Sequence, residues 1–113
     1  KPLIAMLVGG ETNPFIMNRQ VANDLVATAR WIVDELGGTP YVTTSRRTTP
    51  EVVEVLRREL PAQAVFYEWT ADASDNPYRA LLGSADAFIV TADSVSMMVE
   101  VIYLHKPLAI FPA

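Results

Sequence analysis

The stretch LIAMLVGG (Leu3–Gly10) decides the fold. Its apolar residues run without interruption from Leu3 to Val8 and end in two glycines. Such a run reads as a buried strand followed by a tight turn, the form a strand takes in a parallel sheet covered on both faces. Working outward, ETNPFIMN (residues 11–18) is irregular, with Pro14 as a breaker. Val21, Leu25, Ala29, Ile32 and Leu36 then fall at helical spacing, with Asn23, Asp24 and Arg30 off that stripe, and Gly37-Gly38 closes the helix.

The alternation continues to the end of the chain. TPYVTTS (Thr39–Ser45) is β-branched and predicts a second strand. The next helix opens either with a capping box of Thr48 and Glu51, or with Thr49 as cap and Pro50 at the first helical position. Val52, Val53, Leu56 and Leu60 form its buried face, and Pro61 ends it. AVFYEW (Ala64–Trp69) predicts a third strand, Asn76-Pro77 opens a short helix with Tyr78, Leu81 and Leu82, and DAFIVTA (Asp86–Ala92) predicts a fourth strand. Asp93-Ser94 caps a fourth helix whose apolar face is Val95, Met98, Val99 and Ile102, and PLAIF (Pro107–Phe111) predicts a fifth strand. Strands alternating with helices imply right-handed crossovers and a parallel α/β sheet. All 113 residues form one domain, with no internal repeat or low-complexity tract. Lys1-Pro2 runs straight into a strand and the chain stops just after another, so a piece of a longer protein is expected.

Composition narrows the function. Half of the residues are hydrophobic and the mean hydropathy is +0.20, which argues against disorder. No apolar run reaches the 18 or so residues of a membrane span. With no cysteine there is no disulfide scaffold, zinc ribbon, iron–sulfur site or thiol nucleophile. The single histidine, His105, leaves little for a His-rich metal site or a Ser–His–Asp triad; in the last turn of the fourth helix it reads as structural. A net charge of −4 argues against nucleic acid as a partner. Asp72 and Asp75 lie in a polar loop without a partner base, and Asp34-Glu35 reads as a solvated helix end.

In a doubly wound sheet ligands bind at the carboxyl ends of the strands, and four polar clusters follow strands here. Gly9-Gly10-Glu11-Thr12 is either a plain turn or a place where a backbone approaches an anion closely; it is neither GxGxxG nor a P-loop. Thr43-Thr44-Ser45-Arg46-Arg47-Thr48 sets two guanidinium groups among hydroxyls ahead of a helix start, which suits a phosphate, or else it is a solvated loop whose threonines cap the helix. Thr91-Ala92-Asp93-Ser94-Val95-Ser96 opens the fourth helix and could hold a second anionic group or simply cap it. Glu100, four residues after Ser96, shares its helix face and could accept hydrogen bonds from sugar hydroxyls. Trp69, at the end of the third strand, could stack on a nucleobase or pack half-buried.

Three segments together resemble the mitochondrial-fission ELM-type family of plants and bacteria: VTTSRRT (Val42–Thr48), NPYRALLGSAD (Asn76–Asp86) and VTADSVSMMVE (Val90–Glu100) followed by Lys106-Pro107. The likeness runs from about Leu3 to Phe111. It implies a Rossmann-like three-layer domain with a five-stranded parallel sheet, similar to the C-terminal domain of the glycosyltransferase-B fold. Such a domain binds a nucleotide-diphosphate sugar as substrate, needs no separate cofactor, and lacks the acceptor-binding domain of the longer protein. The resemblance then points to Gly9 and Gly10 for the glycine loop and to Arg46 or Arg47 for the basic group, with Thr12 and Ser45 beside them as further substrate-binding candidates. It assigns Ser94, Val95 and Ser96 to the helix-start donors, Glu100 to the ribose and Trp69 to the base. Asp93 lies in the same loop where related transferases often carry glycine, which puts its side chain outside the phosphate shell. No catalytic base is expected in this chain. The alternatives are a sugar-nucleotide 2-epimerase of the same fold and a non-catalytic interaction module, the plant members recruiting a dynamin-related fission protein to the mitochondrial surface. A cytoplasmic location is expected, with the parent protein peripheral at a membrane.

Overall fold

The computed structural model describes residues 2–9, 18–45, 48–68, 78–91, 102 and 106–111. In chain order these form β1 (Leu3–Leu7), α1 (Arg19–Leu36), β2 (Thr39–Thr43), α2 (Pro50–Glu59), β3 (Val65–Tyr67), α3 (Tyr78–Ser84), β4 (Ala87–Thr91) and β5 (Leu108–Phe111). The five strands make one parallel sheet in the order β3-β2-β1-β4-β5. This is the parallel α/β architecture that the sequence implies, in a Rossmann-like three-layer form.

Alternation along the strands sorts the core into two layers. Ile4, Met6 and Val8 face one side with Val42, where they meet Val21, Leu25, Ala29 and Ile32 of α1 and Val52, Val55 and Leu56 of α2. Ala5 and Leu7 face the other side with Phe88 and Val90, under Leu81 of α3 and Ala85 just beyond it. Fully burying a side chain such as Leu25 or Phe88 contributes roughly 1.5–3 kcal/mol, so these two layers carry most of the stability. The chain steps from β1 through β2 to β3 in one direction, then returns over the sheet to β4 on the far side of β1. The winding direction therefore reverses between β1 and β4, and that gap is the topological switch point.

The helix ends show local causes. The Asn18 side chain accepts a hydrogen bond from the Val21 N–H at 3.1 Å and caps α1. At the other end Gly37 adopts φ 62°, and the Gly38 N–H reaches back to the Ile32 carbonyl at 3.0 Å, so a glycine in the left-handed region closes the helix. Gly38 is also crowded: a Cβ there would lie 3.0 Å from the Pro2 carbonyl oxygen and 3.1 Å from Ile32 Cγ2. That same carbonyl accepts the Thr39 N–H at 2.8 Å, so the glycine lets α1 turn directly into β2. At the start of β1, Leu3 and Asp86 exchange bonds, the Leu3 N–H donating to Asp86 Oδ2 at 2.7 Å and the Asp86 N–H to the Leu3 carbonyl at 2.8 Å.

Several expected boundaries shift inward. The third strand shrinks from Ala64–Trp69 to Val65–Tyr67 among the described residues, because the Ala64 N–H is used in a turn with the Pro61 carbonyl. Val8 follows β1 but still donates its N–H to Thr43 at 2.9 Å. One open choice is decided and one expectation is corrected. α2 begins with Thr49 as N-cap and Pro50 in the first turn; the Thr48–Glu51 capping box does not form, because the Thr48 hydroxyl is engaged elsewhere. Ile102 is helical but 61% exposed, so it does not belong to a buried face; spacing tells which residues share a face, not how far along a helix that face stays covered. The rest of the expected fourth helix lies outside the described residues.

Candidate functional site

The carboxyl ends of β1, β2 and β4 meet in a hydrogen-bonded rim. The Gly9 N–H donates to Thr91 Oγ1 at 2.9 Å, a buried bond that spans the switch point between β1 and β4. On the other side of β1, the Thr48 hydroxyl lies 2.6 Å from the Gly9 carbonyl oxygen and 3.2 Å from that of Val8. Its one proton goes to these two carbonyls, chiefly to the nearer. The same oxygen accepts the Ser45 N–H at 2.9 Å and sits 3.2 Å from Ser45 Oγ, while the Thr48 N–H donates to the Ser45 carbonyl at 3.2 Å. One threonine therefore joins the loop after β1 to the loop after β2. Thr43, Thr44 and Thr91 are buried there too, an unusual run of hydroxyls among apolar strand ends.

Beside this rim, toward β3, lies a cleft of about 270 Å³. Thr44, Ser45, Thr48, Glu54, Arg57 and Glu68 are among the residues that line it. The Arg57 guanidinium bridges the two carboxylates, donating to Glu54 at 2.9 Å and to Glu68. The hydrogen bond that Arg57 donates to Glu68 and the charge of that carboxylate are the main causes that push the Arg57 pKa above the usual guanidinium value. The bridge ties α2 to the residue after β3, and its charges are open to solvent.

Of the residues that the family resemblance assigns to the site, Gly9 and Ser45 are described, and the structure brings them together through Thr48. The Gly9 N–H is already engaged by Thr91, so Gly9 contributes close backbone approach to this rim and not a donor for an anion. Gly10, Thr12, Arg46, Arg47, Trp69, Asp93, Ser94, Val95, Ser96 and Glu100 lie outside the described residues. Asp34 and Glu35 are exposed, as a solvated helix end requires. Sequence reading missed the parts played by Thr91 and Thr48. A hydroxyl at the last position of an otherwise apolar strand is the signal that would have found Thr91. The Glu54–Arg57 pair is visible as an i, i+3 spacing, but Glu68 joins it only through the placement of β3. Among the described residues no three acidic or histidine side chains converge as metal ligands, and no helix is long and apolar enough to cross a membrane.

A doubly wound parallel sheet with a hydroxyl-lined rim at its switch point defines a Rossmann-like α/β domain. Its lineage is equally definite: the model of the family described as mitochondrial fission ELM1 matches residues 1–113, and the chain belongs to that family. It is 30% identical over 112 residues to a Rickettsia prowazekii (strain Madrid E) protein named "Uncharacterized protein RP120", matching 98% of this chain and 32% of that one. It is 30% identical over 113 residues to the "Mitochondrial fission protein ELM1" of Arabidopsis thaliana, matching 100% of this chain and 26% of that one. The chain thus spans between a quarter and a third of the length of these relatives.

Proposed function

We propose that this chain is the donor-binding domain of a glycosyltransferase-B-like protein, holding a nucleotide-diphosphate sugar at the carboxyl ends of its strands. One observation carries the reading. Ser45 and Thr48, the residues that flank Arg46-Arg47, are both bonded into the switch-point rim with Gly9. An anion drawn to those guanidinium groups would lie where doubly wound sheets bind ligands. In this reading Arg46 and Arg47 neutralise the diphosphate, the segment Asp93–Ser96 lends backbone donors, Glu100 takes the ribose hydroxyls and Trp69 lies near the base. Fixed positive charge and backbone dipoles stabilise the departing diphosphate, and the acceptor and its activating base belong to the remainder of a longer polypeptide. The protein works in the cytoplasm, the parent being peripheral at a membrane.

The name of the Arabidopsis relative favours a second reading. In it the domain is a non-catalytic module of mitochondrial fission, and Arg46-Arg47 contact a protein. Calorimetric titration with UDP-, GDP- and ADP-sugars separates the two. Saturable binding, weakened by Arg46→Ala and by Arg47→Ala by roughly 1.5–3 kcal/mol for each charge-assisted hydrogen bond removed, supports the first. Absence of binding to all three, or affinity unchanged by both substitutions, rejects it.

A further inference from the structure

Among the described residues, the first face of the sheet is only partly covered. α1 and α2 pack over β1 and β2 on that side. Across the rest of it runs an apolar groove of about 210 Å³ between α1 and the outer strands β4 and β5. Ile4, Ala87, Ile89 and Ala109 form its floor, and Trp31 and Leu36 form its wall. All ten residues that line it are apolar. Trp31 and Leu36 are 52% and 46% exposed, and Ala109 lies open on the strand. Purely parallel sheets are normally covered on both faces, so an apolar strip of this kind marks a missing layer and not an ordinary surface.

The dimensions select the occupant. Neighbouring strands lie about 4.8 Å apart, so β4 and β5 together present a strip roughly 10 Å wide, the diameter of one helix. The relatives are about three to four times as long as the matched segment, since the chain makes up 32% and 26% of them. We infer that the groove between α1 and the β4–β5 half of the sheet is the seat of one amphipathic helix supplied by the same polypeptide outside these residues. Its apolar stripe lies along Ile89 and Ala109, with Trp31 and Leu36 against its flank. The inference rests on the longer-polypeptide part of the proposed function and is independent of nucleotide-sugar binding.

The test is alkylation of Leu36→Cys in the full polypeptide without nucleotide, read peptide by peptide by mass spectrometry. Asp34→Cys, on the exposed side of the same helix, is the control. The Leu36→Cys thiol reacts at least about tenfold more slowly than the control, at micromolar and nanomolar protein alike. Hydroxyl-radical footprinting of Trp31 in the unsubstituted polypeptide gives the same protection and does not depend on the variants folding. Equal thiol rates with an open Trp31 overturn the inference. Protection that disappears on dilution overturns it too, assigning the groove to a second copy. Failure of nucleotide sugars to bind would leave this protection intact, so the two ideas fail separately.

Discussion

The buried Thr91 hydroxyl accepts the Gly9 N–H at 2.9 Å, joining β4 to the residue where the chain leaves β1. Thr91 is only 1% exposed, so no water can replace it as the partner of that amide. Thr91→Val therefore strands a buried donor and destabilises the domain by about 1–3 kcal/mol, whereas Thr91→Ser keeps the bond and much of the stability. Urea unfolding of both variants checks this. A Thr91→Val variant as stable as the parent chain would contradict the role given to the hydroxyl.

Thr48 serves the opposite side of the same rim, with its hydroxyl 2.6 Å from the Gly9 carbonyl oxygen. Thr48→Val removes that donor and the acceptor of the Ser45 N–H together. The expected result is a loss of about 1–2 kcal/mol and faster hydrogen exchange at Ser45, with the amides of α1 unchanged. Exchange at Ser45 equal to that of the parent chain would contradict it.

Gly38 has no room for a side chain. Gly38→Ala sets its Cβ 3.0 Å from the Pro2 carbonyl oxygen, a backbone atom that also receives the Thr39 N–H. Overpacking of this kind costs about 1–3 kcal/mol, and thermal unfolding should show the midpoint fall accordingly. Gly37→Ala is strained for a different reason, its φ of 62°, with an open space around it, and should cost about 1–2 kcal/mol.

Arg57 gives the contrasting case. Its bridge to Glu54 and Glu68 is exposed to solvent and screened by salt. Arg57→Gln should leave the unfolding midpoint nearly unchanged at high salt while altering the charge of the cleft beside Thr44 and Ser45. The Arg57 pKa is raised, so the contribution of the pair is complete below the ordinary guanidinium range and is lost only as pH rises through the shifted value. Across neutral pH the pair should add no pH dependence to stability, which unfolding on either side of neutrality tests.

Phe88 anchors the second core layer, 1% exposed beneath α3. Phe88→Ala should lose about 3–5 kcal/mol in urea unfolding, a far larger change than any at the rim. A loss under about 1 kcal/mol would show that this layer does not carry the stability assigned to it.

Much of the architecture is legible along the chain because burial is periodic. The apolar run Leu3–Leu7 and its β-branched or apolar counterparts at β2 and β4 specify central parallel strands, and Gly37-Gly38 marks the end of α1. Boundaries are less legible, since a strand ends where a specific hydrogen bond is taken by a turn, as at Ala64. The rim is half legible. Hydroxyl-rich strand ends point to the right edge of the sheet, but a threonine bonded to a carbonyl 39 residues away, as Thr48 is to Gly9, depends on register that no local pattern encodes. Cap preference leaves Thr48 and Thr49 both open for α2, and the tertiary bond of Thr48 leaves the cap position to Thr49.

A single hydroxyl proton at Thr48 secures two connections that leave adjacent strands. Neither segment can swing aside alone: displacing the one that carries Ser45 unlatches the backbone at Gly9 as well. Among the described residues this edge of the sheet is therefore cross-braced, and the backbones at Gly9 and Ser45 keep their places jointly.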